Sequence, residues 1–290
     1  MTAYPIEALF PEQLQDRLDK CPTLVLGFGT IEWHSYHLPL GLDGLVAQGL
    51  AERVARRLDA VLAPVSYWAA GGVAYPYTLN LPGRVVEPLL EALYQQFSAT
   101  GFRLIVGLTG HFGLEQTLIL KRAGVAVMRR SPVTILPVTE YDMTTDIGYK
   151  GDHASTGETS LLWALRPELV RLDAVSPGAP LDGVLGPDPR GSASETLGQE
   201  LLEQIAGRTA EVAARLLRHT APLERAAYVE ALAAGVRVLE RTLRERGTRP
   251  KSLVPSITTP AYLAHCRAIY SGAYALAQSE AERKLDDLSN

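Results

Sequence analysis

The chain has 290 residues, of which 47% are hydrophobic and 21% are charged, and its formal net charge at pH 7 is −4. These values are typical of a globular protein and allow one large domain, alone or with a substantial appendage. A mildly acidic chain gives no reason to expect nucleic acid as a partner, because proteins that bind it usually carry a basic patch.

No basic leader precedes an apolar segment at the N-terminus, and no apolar run reaches the roughly 18 residues that a membrane span needs. We therefore expect neither a signal peptide nor a membrane association. The two cysteines, Cys21 and Cys266, are far apart and match neither a disulfide framework nor a zinc ribbon. This pattern predicts a cytoplasmic protein with two inert thiols.

Short apolar runs rich in Val, Ile and Leu alternate along the chain with longer amphipathic segments. The apolar runs predict buried strands at 23–29, 60–67, 103–110 and 133–142. The amphipathic segments predict helices at 45–58, 85–101, 114–130 and 155–170. This alternation favours a layered α/β/α domain with a mostly parallel sheet, which binds ligands at the carboxyl ends of its strands.

The remainder of the chain has a different character. Residues 176–194 are rich in Pro, Gly and Ser and predict a long surface loop, a type that is usually functional or mobile. From Glu195 onward the spacing is nearly all helical. We therefore divide the chain into an α/β domain, residues 1–220, and a helical C-terminal extension, residues 221–290, packed on the same domain.

The stretch TIEWHSYHLPLGLDG follows the first long strand and contains Glu32, His34, His37 and Asp43. Zinc and manganese need imidazole nitrogens and carboxylate oxygens converging within about 2 Å of the ion. Glu32 and His34 are two residues apart and point the same way from an extended segment. The residues favour a metal site, although a polar turn that happens to hold two histidines would have the same composition.

Two further polar clusters follow predicted strands. His111 comes directly after the buried strand RLIVGLTG, where Gly110 allows a tight turn. The segment GDHASTGETS places Asp152, His153 and Glu158 around a helix start. Each cluster also has a simpler interpretation, since a histidine can cap a helix and a carboxylate in a first turn is favoured by the helix dipole.

Together these segments resemble the creatininase family. TIEWHSYHLPLGLD resembles the signature Glu-Gln-His-Gly-Pro-His-Leu-Pro-Leu-Gly-Thr-Asp, and TGHFG stands where the family has Asn-Gly-His-Gly-Gly-Asn. DHASTGETS resembles His-Ala-Gly-Glu-x-Glu-Thr-Ser, while YPYTLNLPG and GPDPRGSASETLG resemble two further segments. The five matches occur in order over about Pro22 to Ala206.

The resemblance implies a metal-dependent hydrolase with a layered α/β fold that assembles as a homo-oligomer, often a hexamer. By position, the family's metal ligands correspond to Glu32, His34, Asp43 and His111. Asp43 would bridge two ions, His153 would protonate the leaving group, and Glu158 is a candidate ligand or base. Two bridged ions lower the pKa of a shared water and polarise the carbonyl that it attacks. We expect two divalent ions per chain, and the ligand types suit zinc, manganese and iron alike.

The ligand set departs from the family pattern at two places. Creatininase itself has a ligating Glu where this chain has Gly113, so a second ion requires Glu158 as the missing ligand, with Glu115 as a weaker substitute. The Gly-Glu pair expected after His153-Ala154 is Ser155-Thr156, which removes a carboxylate from the edge of the site. We therefore do not expect creatinine to be the substrate.

The first loop is also bulkier than in the family, because Trp33 replaces Gln and Ser35-Tyr36 replaces Gly-Pro. We predict a substrate-binding group that would suit a flat heterocycle or a sugar-like ring. Its members are Trp33, Tyr36, His37, Trp68 and Tyr77, with Tyr75 beside them. Alternatively, the aromatic residues among them simply fill core.

Three hypotheses on function follow. The first is hydrolysis of a C–N bond in a small cyclic amide or a formamide. The second is hydrolytic C–C ring opening of a cyclic polyol ketone at the same site. The third is a non-catalytic subunit that a metal stabilises for ligand binding. The intact ligands and His153 argue against the third hypothesis, because binding alone needs no general acid beside the metals.

Overall fold

A five-stranded parallel sheet forms the centre of the computed structural model, which describes residues 3–149, 151–218, 221–246 and 260–289. The strands are β1 (Tyr4–Pro5), β2 (Thr23–Phe28), β3 (Val61–Leu62), β4 (Leu104–Thr109) and β5 (Thr134–Thr139). Their order in the sheet is β1-β3-β2-β4-β5, and each neighbouring pair is parallel. The predicted α/β class with a mostly parallel sheet is confirmed.

The described helices cover both faces of the sheet. They are α1 (Pro11–Lys20), α2 (Leu42–Leu58), α3 (Gly83–Thr100), α4 (Leu114–Arg130), α5 (Thr156–Leu165), α6 (Glu195–Arg218), α7 (Pro222–Arg246), α8 (Pro260–Ser271) and α9 (Tyr274–Ser289). Helices α2, α5 and α6 pack together, and α3 packs on α4. The chain moves in one direction along the sheet after β2 and in the opposite direction after β3. Because such crossovers are right-handed, the group of α2, α5 and α6 lies on one face of the sheet and the pair of α3 and α4 lies on the other.

Several boundaries differ from the sequence predictions. Only Val61–Leu62 of the predicted strand 60–67 pairs as a strand, because Pro64 has no N–H to donate, although Ser66 still pairs with Phe28. The predicted helix 155–170 ends at Leu165, shortly before Pro167, since the residue before a proline disfavours helical geometry. The predicted strand 133–142 gives way after Thr139 to a 3₁₀ turn, Glu140–Met143.

The three central strands end at the same level. Phe28 of β2 is in register with Thr109 of β4, which is in register with Thr139 of β5. All three strands are buried along their whole length, as their apolar runs predicted. The polar segments that follow β2, β4 and β5 therefore begin side by side at one edge of the sheet.

Helix α7 packs on α4 and α9 packs on both α7 and α8, so the C-terminal helices attach to the β5 side of the domain. Side chains from this region donate hydrogen bonds to alternate carbonyls along the outer edge of β5 and its approach. The donors are Arg225 to Val133, the Tyr228 hydroxyl to Ile135 and the Tyr270 hydroxyl to Pro137, at 2.7, 2.9 and 3.1 Å. An edge strand with unpaired backbone groups is a template for pairing with another chain, and these hydrogen bonds occupy three of the carbonyls along this edge.

The predicted division at residues 220 and 221 falls partly outside the described residues and stays a prediction. Both cysteines are free, and burial raises the pKa of the Cys266 thiol to about 12, which disfavours the reactive thiolate. Among the described helices, none combines the length and the apolar character needed to cross a membrane.

Candidate metal centre

The loop between β2 and α2 and the first turn of α2 carry three of the predicted ligands, Glu32, His34 and Asp43. Close packing brings this turn against the end of β4. A Cβ added at Gly110 would lie 2.2 Å from the carbonyl oxygen of Asp43, so only glycine permits the approach. The arrangement places the Asp43 carboxylate between the residues that follow β2 and those that follow β4.

Hydrogen bonds to the backbone set the orientation of the His34 ring. Its Nδ1 lies 3.0 Å from the carbonyl oxygen of Glu32, and because a carbonyl only accepts, Nδ1 carries the proton there. The other nitrogen, Nε2, is then free to bind a metal. It lies 2.9 Å from Oδ1 of Asp43 and 3.5 Å from Oε2 of Glu158.

His111 is oriented in the same way from the other side. Its Nε2 lies 3.2 Å from the carbonyl oxygen of Ala70, and the amide of Ala70 is itself held by Gln116 at 2.9 Å. The free Nδ1 of His111 lies 2.9 Å from Oε2 of Glu32 and 3.1 Å from Oδ2 of Asp43. Fixing the outer nitrogen of a histidine in this way is how metal sites orient their ligands.

Two groups of three potential ligands result, and they share one residue. The first is Glu32, Asp43 and His111, and the second is His34, Asp43 and Glu158, with the ligand atoms of each group within 4.8 Å of one another. Oδ1 of Asp43 faces one group and Oδ2 faces the other. Four of the buried ligand atoms have no hydrogen-bond partner outside the cluster: Oε2 of Glu32, Nε2 of His34 and both carboxylate oxygens of Asp43. Buried polar atoms are costly when unpaired, so the residues fit a pair of bridged divalent ions.

Glu158 lies in the first turn of α5, where its Oε2 accepts a hydrogen bond from the Ala154 amide at 2.6 Å. Burial and the nearby charge of Asp43 raise its pKa well above the usual range. Burial opposes the charged form of His34 and of His111, but neighbouring carboxylates outweigh it and raise the pKa of both, that of His111 strongly. The same histidines lower the pKa of Asp43, although burial opposes this shift.

His153 lies at the side of the cluster. Its Nε2 donates a hydrogen bond to the Trp33 carbonyl at 2.9 Å, so Nδ1 is the free nitrogen, and it lies 4.0 Å from Oε2 of Glu158. The ring centroids of His153 and His34 are 4.4 Å apart. Burial, followed by the charge of His34, lowers the pKa of His153 to about 4. A third potential ligand group, Glu32, His34 and His153, is also compact enough for an ion.

One protein-family model matches most of the chain. The creatininase model, described as creatinine amidohydrolase, matches residues 7–213, which is well over half of the chain. The chain belongs to the creatininase family. Its members are metal-dependent hydrolases, and the predicted relationship is confirmed.

Three curated relatives have different activities. Creatinine amidohydrolase of Pseudomonas putida is 26% identical over 180 residues, covering 52% of this chain and 67% of that protein. The 3-dehydro-scyllo-inosose hydrolase of Thermotoga maritima is 25% identical over 182 residues, 58% of each chain. The mycofactocin precursor peptide peptidase of Mycobacterium ulcerans is 28% identical over 184 residues, covering 57% of this chain and 67% of that protein.

Solved structures of creatininase share the fold. Three of them, including a manganese form and a zinc–zinc form, match with TM-scores of 0.65, 0.64 and 0.64 at 21% identity. They cover 74% of this chain and 98–99% of their own. Because the family match ends at residue 213, helices α7–α9 lie beyond it.

Two positions that concern the departures from the creatininase pattern are Ser35 and Glu115. Ser35 replaces a family glycine and adopts a φ of 58°, a region that favours glycine. Glu115, the weaker candidate for the missing ligand, accepts a hydrogen bond from the amide of Gly83 at 2.9 Å. That bond holds the start of α3, whereas Oε2 of Glu158 lies 3.5 Å from Nε2 of His34.

The structure separates the predicted substrate-binding residues into two sets. Tyr36, Trp68 and Tyr77 are 52%, 54% and 74% exposed, and their contact with a substrate stays a prediction. Trp33 is buried and stacks on Tyr75 with ring centroids 3.5 Å apart, so Tyr75 covers one face of its ring.

His37 is the remaining predicted substrate contact, and this role stays a prediction. Its ring is buried, and Nε2 is 3.0 Å from the Thr159 hydroxyl. This contact joins the first loop to α5. Its apolar neighbours in HLPLGL gave no hint that the side chain turns inward.

Sequence reasoning missed Glu140 and Tyr149. Glu140 is the first residue after β5, buried near Asp43 and Asp152, and its Oε2 accepts a hydrogen bond from the Tyr149 hydroxyl at 3.1 Å. Burial and the charge of Asp43 raise the pKa of Glu140 well above its usual range. Its position directly after a central strand was the signal for a functional residue. The predicted strand 133–142 ran past Glu140 and so concealed the end of the strand.

Proposed function

We propose that the chain is a hydrolase with two divalent metal ions that cleaves a C–N bond in a small cyclic amide or a formamide. The observation that carries the proposal is the position of Asp43, whose two carboxylate oxygens face two different histidines. A carboxylate that joins two sets of N and O ligands is the arrangement that metal-pair hydrolases use.

In this proposal Glu32, Asp43 and His111 hold one ion, and His34, Asp43 and Glu158 hold the other. Zinc, manganese and iron remain candidates, since carboxylate and imidazole ligands suit all three. The bound ions would lower the pKa of a coordinated water and polarise the carbonyl of the substrate.

His153 is the proposed proton carrier. The Trp33 carbonyl fixes its Nε2, so the free Nδ1 faces the cluster and can take a proton and deliver it to the leaving nitrogen. Its low pKa keeps the imidazole neutral at pH 7, which leaves Nδ1 ready to accept. The exposed Tyr36, Trp68 and Tyr77 would contact the parts of the substrate away from the bond that breaks.

C–C ring opening of a cyclic polyol ketone is the second candidate. It is favoured by the similarity to a relative named 3-dehydro-scyllo-inosose hydrolase. A non-catalytic binding subunit is the third candidate. Metal-loaded protein assayed against cyclic amides, formamides and keto-inositols separates the first two by the bond that is cleaved. Turnover of neither class would favour the third.

We also propose a small-molecule substrate, a homo-oligomer such as a hexamer, and a cytoplasmic location. The assembly is tested by light scattering of the metal-loaded protein during gel filtration. A single species of 31.4 kDa would reject the oligomer.

A further inference from the structure

A buried ion pair lies where α4, the turn after β5 and α8 meet. Nζ of Lys121 is 3.0 Å from Oδ1 and 2.9 Å from Oδ2 of Asp142, and both side chains are buried. The hydroxyl of Tyr270, from α8, lies 3.1 Å from Oδ2 of Asp142 and 3.1 Å from the carbonyl oxygen of Pro137. Because buried charges are costly unless hydrogen bonds satisfy them, Tyr270 completes the surroundings of Asp142.

Asp142 fixes the turn that follows β5. Its Oδ2 accepts a hydrogen bond from the amide of Thr139, the last residue of β5, at 2.9 Å. This bond caps the 3₁₀ turn Glu140–Met143. The carboxylate of Asp142 therefore determines where the strand stops and in which direction the chain continues through Glu140.

Glu140 connects this turn to the metal centre. Its side chain is buried, and its Oε2 accepts the hydrogen bond from the Tyr149 hydroxyl at 3.1 Å. The ring of Tyr149 packs on Gly157, where an added Cβ would lie 2.1 Å from it, and Gly157 directly precedes the candidate ligand Glu158. Burial, followed by the charge of Asp43, raises the pKa of Glu140 well above its usual range, so this carboxylate is also close. A shift of Glu140 would therefore affect two candidate ligands.

Tyr270 lies outside the part of the chain that the creatininase model matches, because that match ends at residue 213. Lys121, Asp142 and Glu140 lie within the match. A side chain from the C-terminal helices thus completes a network that leads to the metal centre of the α/β domain.

We propose that Tyr270 is a positioning residue for the metal centre and that it acts through the turn that carries Glu140. This inference rests on the proposed function, because a slower reaction is one of its consequences. Tyr270 holds the carboxylate of Asp142, and Asp142 holds the turn. The turn sets the distance of Glu140 from the candidate ligands. If Tyr270 only stabilised the packing of α8, its removal would lower stability without a change at the site.

The test compares two buried tyrosines of the C-terminal helices. Tyr270→Phe removes the hydroxyl that reaches Asp142 and leaves the ion pair with Lys121 in place. Tyr228→Phe removes a hydroxyl that donates to the carbonyl of Ile135 in the same strand. Of these two described tyrosines, only Tyr270 donates to Asp142. A difference between the two variants therefore reports the hydrogen bond to Asp142.

Three quantities are measured on each full-length variant: hydrogen exchange of the Thr139 amide by NMR, the visible absorption spectrum of the cobalt-loaded protein, and kcat and KM on the substrate found among the cyclic amides, formamides and keto-inositols. For Tyr270→Phe we expect exchange faster by about tenfold, shifted cobalt bands, and a kcat lower by about tenfold with an unchanged KM. Tyr228→Phe should match the unmodified protein in all three.

A second background shows whether the effect passes through Glu140. Glu140→Leu keeps the approximate size of the side chain and removes its carboxyl group. In this background Tyr270→Phe should lower kcat no further, because the effects of residues that act through one another are not additive.

Equal exchange in Tyr270→Phe and Tyr228→Phe would overturn the proposal, as would faster exchange in Tyr270→Phe with unchanged cobalt bands and kcat. An undiminished loss of kcat in the Glu140→Leu background would overturn it as well. If the unmodified protein hydrolyses none of the compounds, the proposed function fails, and the exchange and cobalt data alone then decide whether Tyr270 positions the metal centre. The two failures are therefore distinguishable.

Discussion

Loading the protein with metal should release protons, and the structure predicts how many. Two ligand groups, His34 and His111, hold a proton at pH 6 in the metal-free protein, and a third, Glu158, is shifted towards its protonated form. Nearby carboxylates raise the pKa of His34 and His111 above 6.5 despite their burial, and burial raises that of Glu158 well above 4.5. Glu32 and Asp43 hold none, because the two histidines lower their pKa values against the effect of burial. Binding two ions must therefore displace at least about two protons.

This count makes metal affinity steeply dependent on pH. One proton per pH unit corresponds to about 1.4 kcal/mol, so two displaced protons strengthen binding of the ion pair by about 3 kcal/mol per unit. The gain continues as pH rises until the raised pKa values are reached. At pH 6 a coordinated water contributes little, because its pKa near a metal is about 7.

Titration calorimetry at pH 6 in two buffers with different heats of ionisation gives the number of protons released. We expect at least about two for zinc or manganese. Glu158→Gln is the matched variant: it keeps the shape of the side chain, removes the carboxylate and should leave only the ion beside His111, with about one proton released. Release of less than one proton by the unmodified protein would refute the assignment of these ligands.

Three further results are expected. His153→Ala should keep both ions and lose about 10²–10⁴-fold in kcat, because proton delivery is removed; loss of metal in this variant would make His153 a ligand instead. The raised pKa values of His34 and His111 contribute stability that is complete below pH 6.5 and is lost as pH rises through the folded values, so with chelator present the melting temperature should fall between pH 6 and pH 8. A melting temperature that rises over this interval would contradict that linkage. Tyr228→Phe removes one hydrogen bond to β5 and should lower the free energy of unfolding by about 1 kcal/mol in urea titrations, with unchanged metal content as the control.

The sheet and the cluster of candidate metal ligands were predictable from the sequence for the same reason. Buried parallel strands have continuous apolar runs, and these runs locate the points where polar residues emerge together. The positions of Glu32, His34, Asp43 and His111 followed from that rule and from the family resemblance. Their convergence was predictable because β2, β4 and β5 end in register.

Other parts of the site depend on contacts that are distant in sequence. His37 is drawn inward by Thr159, 122 residues away, and no local pattern records that pairing. Leu185 meets His153 through backbone hydrogen bonds, which any residue could make. Glu140 was concealed because the predicted strand continued through the 3₁₀ turn that begins at this residue. Local sequence thus determined the elements, whereas the side-chain environment came from the packing between them.

The central claim is a pair of metal ions that share Asp43. Its most direct test is elemental analysis of the protein purified without added metal, beside an Asp43→Asn variant that keeps the size of the side chain. We predict about two equivalents of divalent metal per chain in the unmodified protein and almost none in the variant, because both ions lose their common ligand. An unmodified protein that holds no metal even after loading with zinc or manganese, or a variant that retains two equivalents, would contradict the account.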